Sequence, residues 1–158
     1  MNESSRAPWE YDVPLRGSPD EHYATMTTED ICNLKVPSAN NAILFLWATN
    51  PKLPEALEVM ERWGFSYVTD LVWVKDKIGT GYWFRAKHEL LLVGRKGNVS
   101  PPPEWARHPS VLEAPRGEHS AKPEVVYELI EAMMGSQRYL ELFARKARKG
   151  WKSWGVDI

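Results

Sequence analysis

Two stretches of the chain bring together side chains able to do chemistry. Residues 79–89, Gly-Thr-Gly-Tyr-Trp-Phe-Arg-Ala-Lys-His-Glu, combine flexible backbone, planar rings, cations and a carboxylate within eleven positions. That mixture suits a loop that grips a nucleobase, stacking on its face and reaching its edge. The same residues would also serve as a surface loop around a partly buried Trp, with Glu89 in a solvated salt bridge at a strand start. The second stretch, Glu141 to Lys152, sets five cations, Arg145, Lys146, Arg148, Lys149 and Lys152, after an apolar segment. A cofactor carboxylate or a nucleic-acid phosphate would suit it, as would plain solvent around a basic turn. Asp157, beyond the next apolar segment, stands where acidic residues of nucleotide-binding sheets hold ribose hydroxyls.

Other chemistries find no footing. No Walker-type loop ends in Lys-Ser/Thr, no GxGxxG follows a strand, and a Ser-His-Asp hydrolase would lack its GxSxG elbow. His22, His88, His108 and His119 show no metal-ligand spacing, and one cysteine, Cys32, cannot build a zinc module, so no metal is expected.

The elements that must position these residues follow from periodicity and punctuation. Residues 1–24 hold Pro8, Pro14, Gly17 and Pro19 with no sustained period and read as a loop-rich entry. Thr28 is read as the cap of a short helix that ends before Pro37. Asn41 to Ala48 is a continuous apolar run, expected of a central strand buried on both faces of a parallel sheet. A helix opens at Pro54 and stops at Gly64. Strands follow at Tyr67 to Lys75 and Lys87 to Val93, with a short one at Val111 to Ala114. Lys122-Pro123 opens a helix with an apolar stripe of Val126, Leu129, Ile130 and Met133, ended by Gly135. Arg138 to Phe143 and Lys152 to Asp157 are the last strands. Such alternation predicts an α/β domain with a mostly parallel sheet and a ligand crevice at the carboxyl ends of its strands. The loops beginning at Thr49, Lys75, Gly94 and Ala144 are therefore the expected carriers of function.

Composition bounds the answer. At 158 residues, 43% hydrophobic and 26% charged, one globular domain over 1–158 is expected. The longest apolar run, Ala42 to Ala48, is too short to span a membrane, and the polar start is unlike a signal peptide. A lone cysteine fits a reducing compartment, so the cytoplasm is the expected location. Net charge of −1 excludes a wholly basic surface while leaving room for a local basic groove. Eight tryptophans are unusual, and they hint at an aromatic-lined site for planar ligands.

From about Ala7 to Asp157 the chain resembles the MT-A70 family of S-adenosylmethionine-dependent adenine N6-methyltransferases. The segments that carry the resemblance are Tyr23-Ala-Thr-Met-Thr-Thr-Glu-Asp-Ile31, Leu46-Trp-Ala-Thr-Asn50, Trp63-Gly-Phe65, Leu71-Val-Trp-Val-Lys75 and Gly79-Thr-Gly-Tyr-Trp-Phe-Arg85 with His88-Glu89. They continue with Glu113-Ala-Pro-Arg-Gly-Glu-His-Ser-Ala-Lys-Pro123, Glu141-Leu-Phe-Ala-Arg145 and Gly150-Trp-Lys-Ser-Trp-Gly155. Each is loose alone; their order is specific. The likeness is nearest to the short bacterial and phage members, which generally act on DNA.

The resemblance implies a Rossmann-like methyltransferase fold with permuted motif order, S-adenosylmethionine as cofactor, and nucleic acid, DNA in preference to RNA, as substrate. It implies a catalytic Asp-Pro-Pro-Trp, whose matching positions here are Arg6-Ala7-Pro8-Trp9, so Pro8 and Trp9 remain and the carboxylate does not. The apolar strand before that motif is missing too, and a truncated, altered or degenerate member is expected. It further implies that His119, Ser120, Lys122, Arg145 and Asp157 mark the cofactor site. Lys75, Tyr82, Trp83, Arg85 and Lys87 would face nucleic acid, with Glu89 near the target base. Three readings follow: an adenine methyltransferase, an inactive nucleic-acid-binding subunit that pairs with an active homologue or with a second copy, and an adenine-nucleotide-binding protein unrelated to methyl transfer. Position 6 separates the first two, because a cation there repels a positively charged cofactor.

Overall fold

The structure is a computed structural model that describes residues 26–118 and 121–155. Those residues divide into two compact units. The first contains the described residues up to Pro101 together with His108–Pro123, and the second Pro102–Arg107 and the residues from Glu124 on.

In the first unit, α1 (Thr28–Cys32) starts one residue earlier than its sequence suggests. Thr27, not Thr28, is the cap: its Oγ1 accepts from the Asp30 amide at 3.1 Å, and its own amide donates to the Asp30 carboxylate at 3.3 Å. Strand β1 (Ala42–Ala48) leads through a 3-10 turn at Asn50–Lys52 into α2 (Leu53–Arg62), with Pro54 in its first turn. Gly64, at φ +84°, ends it in the left-handed conformation that side chains resist. Strands β2 (Ser66–Val74), β3 (His88–Lys96) and β4 (Val111–Glu113) complete a sheet in the order β1-β3-β2-β4.

The α/β fold is as expected, whereas the share of parallel pairing is not. β1 and β2 both pair antiparallel with β3, and in this sheet β2 with β4 is the parallel pair. The cause is the connection: β2 and β3 are joined by a glycine-containing loop with no crossover helix, and parallel neighbours need a crossover. Hence, among the described residues, β1 stands at an edge of this sheet and not at the centre its apolar run suggested, and β3 and β2 are interior, with Leu90, Leu91 and Leu92 of β3 buried. Gly94 lets α2 lie close on that centre, since a Cβ there would stand 2.9 Å from Met60 Sδ.

In the second unit, α3 (Glu124–Met134) follows Lys122-Pro123 and stops at Gly135, φ +69°. Strands β5 (Tyr139–Leu142) and β6 (Trp151–Trp154) pair in parallel, Tyr139 opposite Trp151 and Leu142 opposite Trp154. No helix among the described residues is long and apolar enough to cross a membrane.

Candidate functional site

Because β3 runs opposite to its neighbours, its amino end lies at the same sheet edge as the carboxyl ends of β1 and β2. Trp73 stands directly across from Glu89 in the register, and Val74 from His88. The antiparallel pairing therefore puts Glu89 into the crevice that the loops after β1 and β2 form. It also removes Gly94-Arg95 from that crevice, because Arg95 pairs with Ser66 at the sheet's other end.

Glu89 is 7% exposed, not the solvated strand-start residue that its sequence suggests. A buried carboxylate is costly unless charge and hydrogen bonds compensate it. Here Lys122 Nζ donates to both oxygens, at 3.1 and 3.0 Å, and Lys75 Nζ lies 3.5 Å from Oε2. Lys75 is the first residue after β2, and Lys122 lies on the segment that leaves β4. Two indoles complete the group. The ammonium of Lys75 sits 5.0 Å from the Trp73 ring centre and that of Lys122 5.3 Å from Trp47, within range of cation–π attraction. Trp47 meets Trp73 edge to face at 5.7 Å. Trp73 Nε1 donates to the Ala114 carbonyl at 2.9 Å, tying β2 to the segment that carries Lys122.

Three of the sequence-derived site residues, Lys75, Glu89 and Lys122, are thus one cluster. Trp47 and Trp73 belong to it, and the sequence does not single them out as site residues; their signal, tryptophan inside an apolar strand, is also that of ordinary core. Beside the cluster, Asn50 Nδ2 lies 3.1 Å from His88 Nε2, joining the exit of β1 to the entrance of β3. Tyr82, Trp83, Arg85 and Lys87 lie on the hairpin between β2 and β3, whose ends are closed by a bond from the Lys75 amide to the Lys87 carbonyl at 2.8 Å. Asp76 at its base has its carboxyl lowered from the ordinary value, chiefly by the hydrogen bond from the Arg116 amide at 2.7 Å. Pro8, Trp9, His119, Ser120 and Asp157 lie outside the described residues.

Arg145 lies in the second unit, on the turn between β5 and β6. That turn is organised around Arg148. Its Nε and Nη2 donate to the two oxygens of Glu131 at 2.8 and 3.0 Å, Nη1 reaches Glu124, and its guanidinium covers the Tyr127 ring at 5.0 Å. Trp151 Nε1 adds a 2.7 Å bond to Glu131, and the Arg148 and Trp151 donors together pull the Glu131 carboxyl down to about 2. Burial and the 2.6 Å bond to Glu141 push the Tyr127 hydroxyl upward. Lys146 and Arg148 both form ion pairs with Glu124. A cavity of about 260 Å³ lies on this turn, lined by Glu124, Tyr127 and residues 146–149; Arg145 is not part of its wall.

The chemistry of the donor set fits an anionic ligand best at Lys122. An ammonium has three donors, Glu89 takes two, and the third suits a carboxylate oxygen such as that of a methionyl group. Among the described residues no group of three or more His, Cys, Asp or Glu could hold a metal ion.

A family model described as MT-A70 matches residues 6–157. The Type II methyltransferase M.MunI of Mycoplasma sp is 37% identical over 140 residues, covering 86% of this chain and 60% of that protein. The N(6)-adenosine-methyltransferase MT-A70-like of Arabidopsis thaliana is 35% identical over 164 residues, 96% of this chain and 22% of that protein. The N(6)-adenosine-methyltransferase catalytic subunit METTL3 of Homo sapiens is 30% identical over 165 residues, 96% and 27% respectively. The chain therefore spans 60% or less of the length of these relatives.

Proposed function

The chain belongs to the MT-A70 family, and from that membership we propose that it is an S-adenosylmethionine-dependent adenine N6-methyltransferase acting on nucleic acid, DNA in preference to RNA. On this reading residues 1–158 are one methyltransferase domain, working in the cytoplasm. The observation that carries it is the Lys75, Glu89 and Lys122 cluster, a buried carboxylate between two ammonium groups on a floor of two indoles.

S-adenosylmethionine, when bound, supplies an electrophilic methyl group. The work of this chain is to present the adenine amino nitrogen, whose lone pair is spread into the ring and attacks poorly unless its hydrogens are held by acceptors. Glu89 is such an acceptor. Lys75 and Lys122 pair with it while offering donors to the ring nitrogens, the phosphate or the cofactor's carboxylate. By the family pattern alone, His119, Ser120, Arg145 and Asp157 are further cofactor residues. Trp9 would stack on the base, beside Pro8.

Arg6 favours a second reading. Where the family pattern has an aspartate, this chain has a guanidinium, and a cation there opposes both cofactor and transition state. On that reading the protein is an inactive nucleic-acid-binding subunit of an active homologue. Tritiated methyl transfer to adenine-containing DNA and RNA decides between them. The chain as it stands is expected to turn over slowly, since one missing acceptor costs roughly 10²–10³ in rate. Arg6→Asp with Ala7→Pro, behind a family-like strand, is expected to restore transfer. Robust turnover by the unaltered chain refutes the argument from Arg6, and a restored chain that still fails favours the binding subunit.

A further inference from the structure

The hairpin between β2 and β3 is built to hold two aromatic side chains in water. Trp83 is 92% and Phe84 89% exposed, the two most exposed large hydrophobic side chains among the described residues. The loop beneath them is stiff. Beyond the closing bond of Lys75 to Lys87, the Gly79 amide donates to the Ala86 carbonyl at 2.6 Å and the Ala86 amide to Thr80 at 3.1 Å. Arg85 Nε donates to the Gly79 carbonyl at 3.1 Å. A Cβ on Gly81 would fall 1.9 Å from the Phe84 carbonyl oxygen, so the tip closes in this form with glycine alone. Each ring carries roughly 150–250 Å² of surface whose burial is favourable, and the chain leaves both outside.

We propose that this tip is a wedge for duplex DNA, Trp83 and Phe84 entering the base stack beside the adenine that is turned out toward Glu89. The inference rests on the reading of the protein as a nucleic-acid methyltransferase. Charge identifies the occupant: Lys75, Lys77, Arg85 and Lys87 against Asp76 give 4 − 1 = +3 between positions 75 and 87, in a chain whose net charge is −1. The one carboxylate in the loop, Asp76, is already engaged, accepting from the Arg116 amide. Continuity supplies the second argument. The arms of the hairpin are the strand ends that hold Lys75 and Glu89, which are 3.5 Å apart, so wedge and base site move as one body. Chemistry on an exocyclic amine requires the base to leave the stack, and that gap costs a few kcal/mol unless something fills it. Apolar side chains inserted between base steps do this in proteins that kink DNA.

The test measures affinity of the full chain for three probes of one sequence: an intact duplex, the same duplex with a single abasic position, and the single strand. A wedge is pre-matched to the abasic gap, so the wild type is expected to bind that duplex about tenfold tighter than the intact one, a stacking increment within the ~1–3 kcal/mol per base of aromatic platforms. Trp83→Ala with Phe84→Ala should bring the ratio to near one while leaving the salt slope unchanged. Arg85→Ala with Lys87→Ala should weaken all three probes and reduce the slope by about 2, keeping the ratio. Both aromatic side chains lie in solvent, so the far-UV spectrum and Tm should not change. A gap preference that survives in the aromatic double variant overturns the wedge and leaves the methyltransferase reading standing. So does a variant whose only loss is on the single strand, which would make the tip a single-strand platform, or one whose only change is in self-association or protein binding. No binding of any probe by the wild type overturns both readings.

Discussion

The Glu89 cluster of the first unit and the Arg148 cluster of the second are made of the same parts, ion pairs laid against aromatic rings, in opposite proportions. Around Glu89 two ammonium groups share one buried carboxylate, and the surplus is a positive charge with a donor to spare. Around Arg148 two carboxylates share one guanidinium, bidentate on Glu131, and Trp151 takes a further acceptor position. An arrangement with surplus donors can exchange an internal partner for a ligand. One whose donors are matched in fork geometry holds a turn in place. The first has the character of a binding site and the second that of a brace for the β5–β6 turn, on which Arg145 lies.

The comparison breaks most readily at Glu89. Replacing it by Gln keeps the shape but leaves two ammonium groups facing an amide. Methyl transfer, in whichever form of the chain turns over, is expected to fall roughly 10²–10³-fold. Stability should fall by about 3 kcal/mol in denaturant titration, the cost of breaking a buried pair from one side. A Gln variant with full activity would remove Glu89 from the chemistry.

A smaller effect separates the two lysines' roles. Lys122→Ala should weaken S-adenosylmethionine binding about 10–100-fold by calorimetry, as expected for a lost charged hydrogen bond of roughly 1.5–3 kcal/mol. Unchanged affinity in a chain that does bind cofactor would reassign Lys122 to holding Glu89 alone.

The smallest effect belongs to the brace. Glu131 titrates at about 2 in the folded protein against an ordinary 4.5, so its contribution to stability is complete above about pH 4.5 and is lost as pH falls toward 2. Thermal unfolding should show this acid dependence in the wild type. Arg148→Ala should lower Tm at neutral pH and flatten the curve between pH 4.5 and 2. An Arg148→Ala variant that loses cofactor affinity yet keeps Tm would turn the brace into a binding residue.

Much of the fold is legible in the residue order, and the misreadings have definite causes. The helix at Pro54 and its stop at Gly64 stand where composition puts them, because proline and glycine act through their own backbone. The cap read at Thr28 is off by one, since Thr27 and Thr28 are chemically alike and the reciprocal bond to Asp30 chooses between them. Asn41 to Ala48 is a strand as its apolar run says, yet among the described residues it lies at an edge, because a run of apolar residues reports burial and not neighbours. Within the site, the resemblance points to Lys75, Glu89 and Lys122 in three different roles, facing nucleic acid, near the target base and at the cofactor. Nothing in their spacing says that they touch.

The chain's residue order by itself determined that this is an α/β protein of the MT-A70 type, that aromatic and cationic residues crowd one glycine-punctuated loop, and that a guanidinium replaces the expected carboxylate at position 6. These are properties of residue type and local period, and both survive in an unfolded chain. Tertiary structure alone decided that β3 runs against its neighbours, which sets the amino end of one strand beside the carboxyl ends of two others. Strand direction comes from hydrogen bonds between segments distant in sequence, and alternation along a strand carries no record of them. That pairing buried Glu89, drew Lys75 and Lys122 onto it, and made one cluster of three residues to which the sequence gives three different roles.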